Sequence, residues 1–400
     1  MLNTLLEKIV NILKKSTLVE LGVMISFLLL TSQAHAIPAF AKENSTACST
    51  CHTAVPTLSK LGRDFKTNGY RFASDQKPAK QLSENLSFNE LFPVSLGLVG
   101  RPYDEKDSGE SKNRALHEVE LFIAGAVGDD MSAFAEFEGE DEESFEVGLK
   151  AAQFTYSHSK QVNLQLSYAS VLYNDPYDTY ADMRRMTRGH NVVVDKASGG
   201  ADGNIRGSRQ NATIFGRIGE PIYYSLSWSG PSDDAEGTDA NLLTARGAFD
   251  ITPDVMVGGM YMSGTCTVES GSAACAALER DYSRYGLDFQ ADITDLRLTG
   301  AFVAATDDDA ATPSTEIDTD TYYLQAMYTF EDNGRPTWVP VVRFDNYDKN
   351  GGVENIDETT LQLNYFFKEN VKGMIELWDR AGDGATADDD RITVQFYAYF

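Results

Sequence analysis

An all-β fold, an antiparallel barrel of about sixteen strands of the outer-membrane type, is the class this sequence predicts. Three observations predict it: apolar and polar residues alternate with period two, the connections alternate in length, and the sequence ends on a phenylalanine. Val162, Leu164, Leu166 and Tyr168 alternate with Gln161, Asn163, Gln165 and Ser167. Leu361, Leu363, Tyr365 and Phe367 alternate with Thr360, Gln362 and Asn364, and Ile392, Val394, Phe396, Ala398 and Phe400 with Arg391, Thr393, Gln395, Tyr397 and Tyr399. Period two marks strands with unlike faces, but a soluble sandwich would show it too. The connections separate the two. Short turns fall at 128–130, 157–159, 219–221, 252–254, 294–295, 332–334 and 369–370, and between them lie longer polar loops at 175–210, 231–239, 266–275, 307–320 and 379–390. Short turns on one side and long loops on the other are how outer-membrane barrels are built. About sixteen strands then lie between Leu86 and Phe400; an even number brings the first and last together, with both ends on the short-turn side.

Composition narrows the partners. The 400 residues carry 60 Asp+Glu against 34 Lys+Arg, a formal charge of −26, which repels rather than neutralises nucleic-acid phosphate. With 19 Tyr, 21 Phe, only 12 Pro and 42% apolar residues, the chain is not an acidic disordered one. After the N-terminus no apolar run is long enough for a transmembrane helix.

Residues 1–36 read as an export signal. Lys14 and Lys15 precede an apolar core from Leu21 to Leu30, and Ala34-His35-Ala36 offers small residues at the cleavage positions. The alternative, a membrane anchor, is disfavoured by the shortness of that core. Two further units follow: 37–85, a small module, and 86–400, the barrel.

The module contains Cys48-Ser49-Thr50-Cys51-His52, the attachment motif for a c-type haem. Two thiols three residues apart can add to the two vinyl groups of one porphyrin. The adjacent His52 then falls where it can ligate the iron. A thioredoxin-like pair would need a βαβ context, and half a zinc site would need another Cys or His nearby. The remaining cysteines, Cys266 and Cys275, read as a structural disulfide closing a surface loop in an oxidising compartment.

Residues 37–80 are too few to pack a cytochrome core alone. Phe40, Phe65 and Tyr70 are candidates to cover the porphyrin, and Arg63 to meet its propionates. No Met lies between Met24 and Met131 and no His between His52 and His117. Either the iron is five-coordinate or its sixth ligand comes from the rest of the chain, where His117 and His190 are weak candidates. The segment 53–80 carries Lys60, Arg63, Lys66, Arg71, Lys77 and Lys80 against Asp64 and Asp75, whereas Glu118, Glu120, Glu136 and Glu138 occupy polar strand positions. A basic plug inside an acid-lined barrel is one reading; an exposed module and ordinary pore glutamates is the other. The loop 175–210, with Arg184, Arg185, Arg188, Met183, Met186 and His190, is long enough to be functional or disordered. Folded inward it would narrow the lumen; otherwise His190, like His117 and His158, is simply solvated. The clusters Asp307–Asp309 and Asp388–Asp390 either attract Fe²⁺ or only solvate loops.

Taken together, the chain resembles the outer-membrane monohaem cytochrome–porin fusions of iron(II)-oxidising bacteria. The resemblance lies in Pro38-Ala39-Phe40-Ala41 before the haem motif, then Pro56, Leu58, Gly62-Arg63, Phe65-Lys66 and Gly69-Tyr70, ahead of a porin-like remainder. It implies one covalent haem c, extracellular Fe²⁺ as electron donor, a periplasmic c-type cytochrome or similar carrier as acceptor, and outer-membrane lipid around the barrel. No acid–base constellation is needed for such an iron(II) oxidoreductase, and none is evident. The competing expectations are an outer-membrane porin for small solutes with a haem-bearing plug, and a conduit for another electron donor.

Overall fold

The computed structural model describes residues 38–44, 46–72, 80–83, 86–88, 94–106, 110–181, 183–196, 203–232, 236–237, 241–267, 279–309, 312, 315–383 and 388–400. The proposed export signal lies outside them. Sixteen strands form the barrel: β1 (Val94–Lys106), β2 (Glu110–Val127), β3 (Met131–Glu140), β4 (Gly148–Ser159), β5 (Val162–Ala169), β6 (Arg209–Ile218), β7 (Ile222–Ser229) and β8 (Leu242–Thr252). They continue as β9 (Val255–Cys266), β10 (Arg280–Ile293), β11 (Leu296–Asp308), β12 (Glu316–Tyr328), β13 (Trp338–Lys349), β14 (Glu354–Lys368), β15 (Val371–Asp383) and β16 (Asp389–Tyr399). Each pairs antiparallel with the next, and β16 returns to β1 with Tyr399 opposite Gly97, which closes the ring. Closure leaves no sheet edge to pair with another chain. Among the described residues, three short helices are not part of the wall: α1 (Pro38–Asn44), α2 (Lys60–Thr67) and α3 (Val192–Lys196).

The side-chain pattern is inverted relative to a soluble protein. On β5, Leu164 and Leu166 are 50% and 65% exposed while Asn163 and Gln165 are buried. On β14, Leu361 and Leu363 are exposed and Thr360, Gln362 and Asn364 are buried. A sandwich would bury those leucines, since each costs about 1.5–3 kcal/mol to leave in water. An apolar outer face with a polar interior is stable only in lipid. Near the short turns, Trp338 leans on Tyr365 (4.4 Å), Tyr365 meets Phe367 edge-on (4.8 Å) and Tyr328 leans on Phe330 (4.7 Å). Such aromatic clusters suit the membrane–water boundary.

Several boundaries differ from those expected. The barrel begins at Val94; Leu86–Phe88 pairs instead with Lys80–Ser83 in a separate ribbon. The turn expected at 157–159 sits at 160–161, because β4 runs on to Ser159. The loops expected at 307–320 and 379–390 are shorter, because Asp307, Asp308, Asp318 and Asp320 continue the β11–β12 ladder and Asp379, Asp389 and Asp390 the β15–β16 ladder. Polar strand ends keep pairing where they clear the apolar band. On the long-loop side, two connections, 107–109 and 350–353, are brief.

The connection between β5 and β6 folds inward. Val171, Leu172, Tyr180, Ala181, Val193 and Ile205 pack with Leu242, Met260, Met262, Tyr282, Val303 and Tyr323 from β8 to β12. Polar clamps hold it. Arg246 bridges Asp175 (3.2 Å) and Asp288 (2.8 Å), and Arg343 donates to Thr187 Oγ1 (2.7 Å) and to the His190 carbonyl (2.8 Å). A loop so tied is a poor protease substrate. We expect trypsin added to the folded protein in bilayers to leave Arg184, Arg185 and Arg188 uncut, read by mass spectrometry of the fragments. Cleavage there before the barrel unfolds would contradict the inward fold.

Residues 46–72 meet the short-turn ends of the strands. The Ser49 amide donates to Glu369 (3.1 Å), Lys372 to the Val55 carbonyl (3.3 Å), Arg297 to the Leu58 carbonyl (3.1 Å) and Asn163 to the Thr67 carbonyl (3.2 Å). Helix α2 is delimited locally. Ser59 caps it by accepting from the Gly62 amide (3.2 Å), and Gly69, at φ 68°, ends it in the left-handed conformation.

Candidate functional site

The attachment motif opens on a 3₁₀ turn, Cys48–Thr50, with the Cys51 amide donating to the Cys48 carbonyl (3.1 Å). Neither cysteine is disulfide-bonded. Cys48 is buried among Ala54, Val55, Met186, Met327, Val339, Val341 and Phe366. The Cys51 carbonyl accepts from the Ser59 amide (2.9 Å) and lies under Gly62, where any Cβ would sit 2.0 Å from its oxygen. Only glycine lets α2 approach the motif so closely.

His52 Nδ1 lies 3.1 Å from the Pro56 carbonyl. A carbonyl can only accept, so Nδ1 carries the proton and Nε2 the lone pair. Burial lowers the His52 pKa to about 4, keeping the imidazole neutral, and pushes the Cys51 thiol up to about 11. A neutral imidazole with its Nδ1 proton anchored is a preset metal ligand.

Cys48, Cys51 and His52 line one cavity, with about 1270 Å³ not filled by protein atoms. Phe40, Phe65, Tyr70 and Phe72 form its aromatic wall: Phe40 stacks on Tyr70 (5.4 Å), meets Phe65 edge-on (5.3 Å), and Phe65 leans on Phe72 (4.7 Å). Lys66, Arg184, Glu120, Glu136, Tyr173, Met183 and Tyr399 complete it. Two cysteines outside any disulfide, an oriented imidazole, aromatic faces and two cations are the donor set a covalently bound haem requires, so the residues fit the group.

No protein-family model matches the chain, and no curated protein does. Among solved structures it is similar to the anion-selective porin from Comamonas acidovorans (13% identity, TM-score 0.55, 77% of this chain and 98% of that one). It is also similar to OmpF of Salmonella typhi in complex with daunomycin (14%, 0.57, 77% and 97%) and to OmpT of Vibrio cholerae in its trimer form (11%, 0.54, 77% and 98%). The fold is a porin-like barrel. At these identities the likeness concerns the fold alone.

Within the porin-like barrel a second, lumenal cavity with about 2000 Å³ of open space borders the first. Glu118, Glu138, Glu140, Arg101, Arg114, Arg185, Arg188, His117 and His190 line it, and Glu120, Glu136, Met183 and Tyr399 line both cavities. Carboxylate oxygens of Glu118, Glu138 and Glu140 lie within 4.8 Å of one another.

The sequence-predicted residues divide accordingly. Phe40, Phe65 and Tyr70 reach the cavity of the attachment motif. Arg63 does not: it is buried toward the short turns, 3.6 Å from Asp292, with its guanidinium over the Tyr177 ring. The cations at the cavity are Lys66, which donates to the Tyr173 and Asp175 carbonyls, and Arg184. His117 faces the lumen and pairs with Asp141 (2.9 Å); His190 also faces the lumen, and His158 stands exposed on β4. Asp307 is buried against Arg284 (2.8 Å) rather than open to cations. Cys266 is disulfide-bonded, whereas Cys275 lies outside the described residues. Sequence reasoning missed Arg184, Tyr173 and Tyr399 as cavity residues. Only the inward fold of 170–196 and the closure of β16 on β1 bring them there, and neither leaves a spacing signal.

Proposed function

We propose that this protein is an outer-membrane c-type cytochrome that oxidises extracellular Fe²⁺ and passes the electron inward to a periplasmic carrier. What carries the reading is one juxtaposition: the Cys48–His52 motif lines a cavity near the short-turn end of the barrel, and the lumenal cavity beside it, lined by six glutamates and seven lysines and arginines, shares Glu120 and Glu136 with it. When bound, haem c supplies the one-electron chemistry, taking the electron that Fe²⁺ loses on becoming Fe³⁺ and yielding it to an oxidised periplasmic cytochrome or similar carrier. Cys48 and Cys51 would hold the group by thioether bonds, each S–H adding across one vinyl. His52 Nε2 would ligate the iron, and the Pro56 carbonyl keeps the ring in the tautomer that leaves Nε2 its lone pair. Phe40, Phe65 and Tyr70 exclude water from the ring faces. Arg184, which lines the cavity, would meet the propionate charge. Glu120 and Glu136, shared by the two cavities, favour a small dication at the point of approach.

The test is spectroscopic. Fe²⁺ added to purified ferric protein without oxygen is expected to give the reduced cytochrome spectrum, with one Fe³⁺ formed per haem. No reduction at excess Fe²⁺ would overturn the reading. A second reading, a porin for small solutes with a haem-bearing plug, is favoured by the fold itself, since a sixteen-stranded barrel leaves an aqueous channel unless filled. Residues 46–72 and 170–196 fill much of that space, so we expect little ion conductance in planar bilayers.

A further inference from the structure

We infer that Met183 supplies the sixth ligand to the haem iron, its thioether sulfur opposing His52. The inference rests on haem attachment at Cys48 and Cys51. A sixth ligand of the usual His or Met type cannot come from residues 53–116, which contain neither. Around the attachment cavity, His52 and Met183 are the two such side chains among the described lining residues. The alternatives are engaged elsewhere. Met186 is 1% exposed, packed against Cys48 and Val55, with its sulfur 3.8 Å from Lys372 Nζ. His117 pairs with Asp141 and His190 faces the lumen, neither lining the attachment cavity. Lys66 spends its ammonium on the two carbonyls of the inward loop.

Met183 is also held where a ligand must be held. The next residue, Arg184, donates its amide to Asp178 (2.6 Å) and its guanidinium to the Asp175 carbonyl (2.9 Å), and Asp175 is clamped by Arg246. The methionine lines both cavities, and its side chain packs on the inward-loop cluster that contains Val171, Leu172 and Tyr180. Ligation there would place a thioether between the iron and lumenal water. A Met ligand also raises the reduction potential relative to His, the direction an acceptor of electrons from Fe²⁺ requires.

The ferric protein should show the far-red sulfur-to-iron charge-transfer band, and its ferrous form should resist carbon monoxide. Met183→Leu, with covalent haem retained in denaturing gels and barrel mobility unchanged, should lose the band completely and bind carbon monoxide. Met186→Leu should keep the band. Met183→His should give a bis-imidazole spectrum and a lower potential. A band that survives Met183→Leu, or wild-type protein with covalent haem but no such band, would overturn the inference while leaving the haem reading intact. Absence of covalent haem from wild-type protein would overturn both.

Discussion

Replacing Cys48 and Cys51 together by alanine is expected to reduce covalent haem to background and abolish Fe²⁺-dependent reduction, while the barrel still assembles. The two effects separate because they rest on different forces. In the proposed attachment each thiol is one of the two covalent tethers, so removing both removes attachment entirely. The structural cost is small. Deleting the buried Cys48 sulfur leaves roughly a methyl-sized void, worth about 1 kcal/mol, against a closed ladder of sixteen strands. Haem staining of denaturing gels measures the first effect, and heat-modifiable gel mobility the second. Haem stain that persists in the double variant would refute the attachment assignment. Loss of the barrel with it would show that the module is needed for assembly.

Arg246→Leu is expected to be the most destabilising single change in the lumen. Its guanidinium is fully buried between Asp175 and Asp288, and Asp288 also accepts from Thr179 (2.6 Å) and Tyr180 (3.0 Å). Removing one member of a buried ion network leaves uncompensated carboxylates, at a cost of about 3–5 kcal/mol. Because Asp175, Thr179 and Tyr180 belong to the inward loop and Asp288 to β10, the loss falls on the loop's attachment rather than on the strand ladder. Trypsin should then cut at Arg184, Arg185 or Arg188 in the folded barrel. The temperature at which gel mobility changes should fall. Replacing Arg246 and Asp288 together by apolar residues should cost less than Arg246→Leu alone, since one stranded carboxylate is removed. Unchanged trypsin resistance in Arg246→Leu would contradict this account of what holds the loop.

The sequence made the wall legible and the interior much less so. Alternation such as Leu164-Gln165-Leu166 marks a strand and its two faces, because side-chain direction has a strict period of two. It does not say which face meets protein. The alternating connections decided that, and the exposure of Leu164 and Leu166 agrees. Strand ends were misjudged where aspartates continue the ladder, as at Asp307 and Asp318, because polarity alone cannot distinguish a loop from a strand leaving the membrane. The Cys48–His52 motif was legible because the covalent attachment we propose for it requires that spacing. The residues facing it were not. Residues 170–196 have the composition of a solvated loop, and only their partners, Arg246, Arg343 and Asp288, show that they turn inward. Arg63 illustrates the converse: one helix face carries both Arg63 and Lys66, and sequence could not tell that Lys66 meets the cavity while Arg63 meets Asp292.

The most direct test of the central claim uses the protein in sealed vesicles, long loops outward, with an oxidised soluble c-type cytochrome trapped inside. One haem must accept from one side and donate to the other across an apolar band about 25 Å tall, and the chain carries a single attachment motif. Fe²⁺ added outside is expected to reduce the trapped carrier, at a rate set by the amount of haem-loaded protein and at background with the Cys48→Ala, Cys51→Ala variant. No reduction of the trapped carrier, with the haem itself reduced and then reoxidised equally fast by the same carrier added outside, would contradict inward electron transfer.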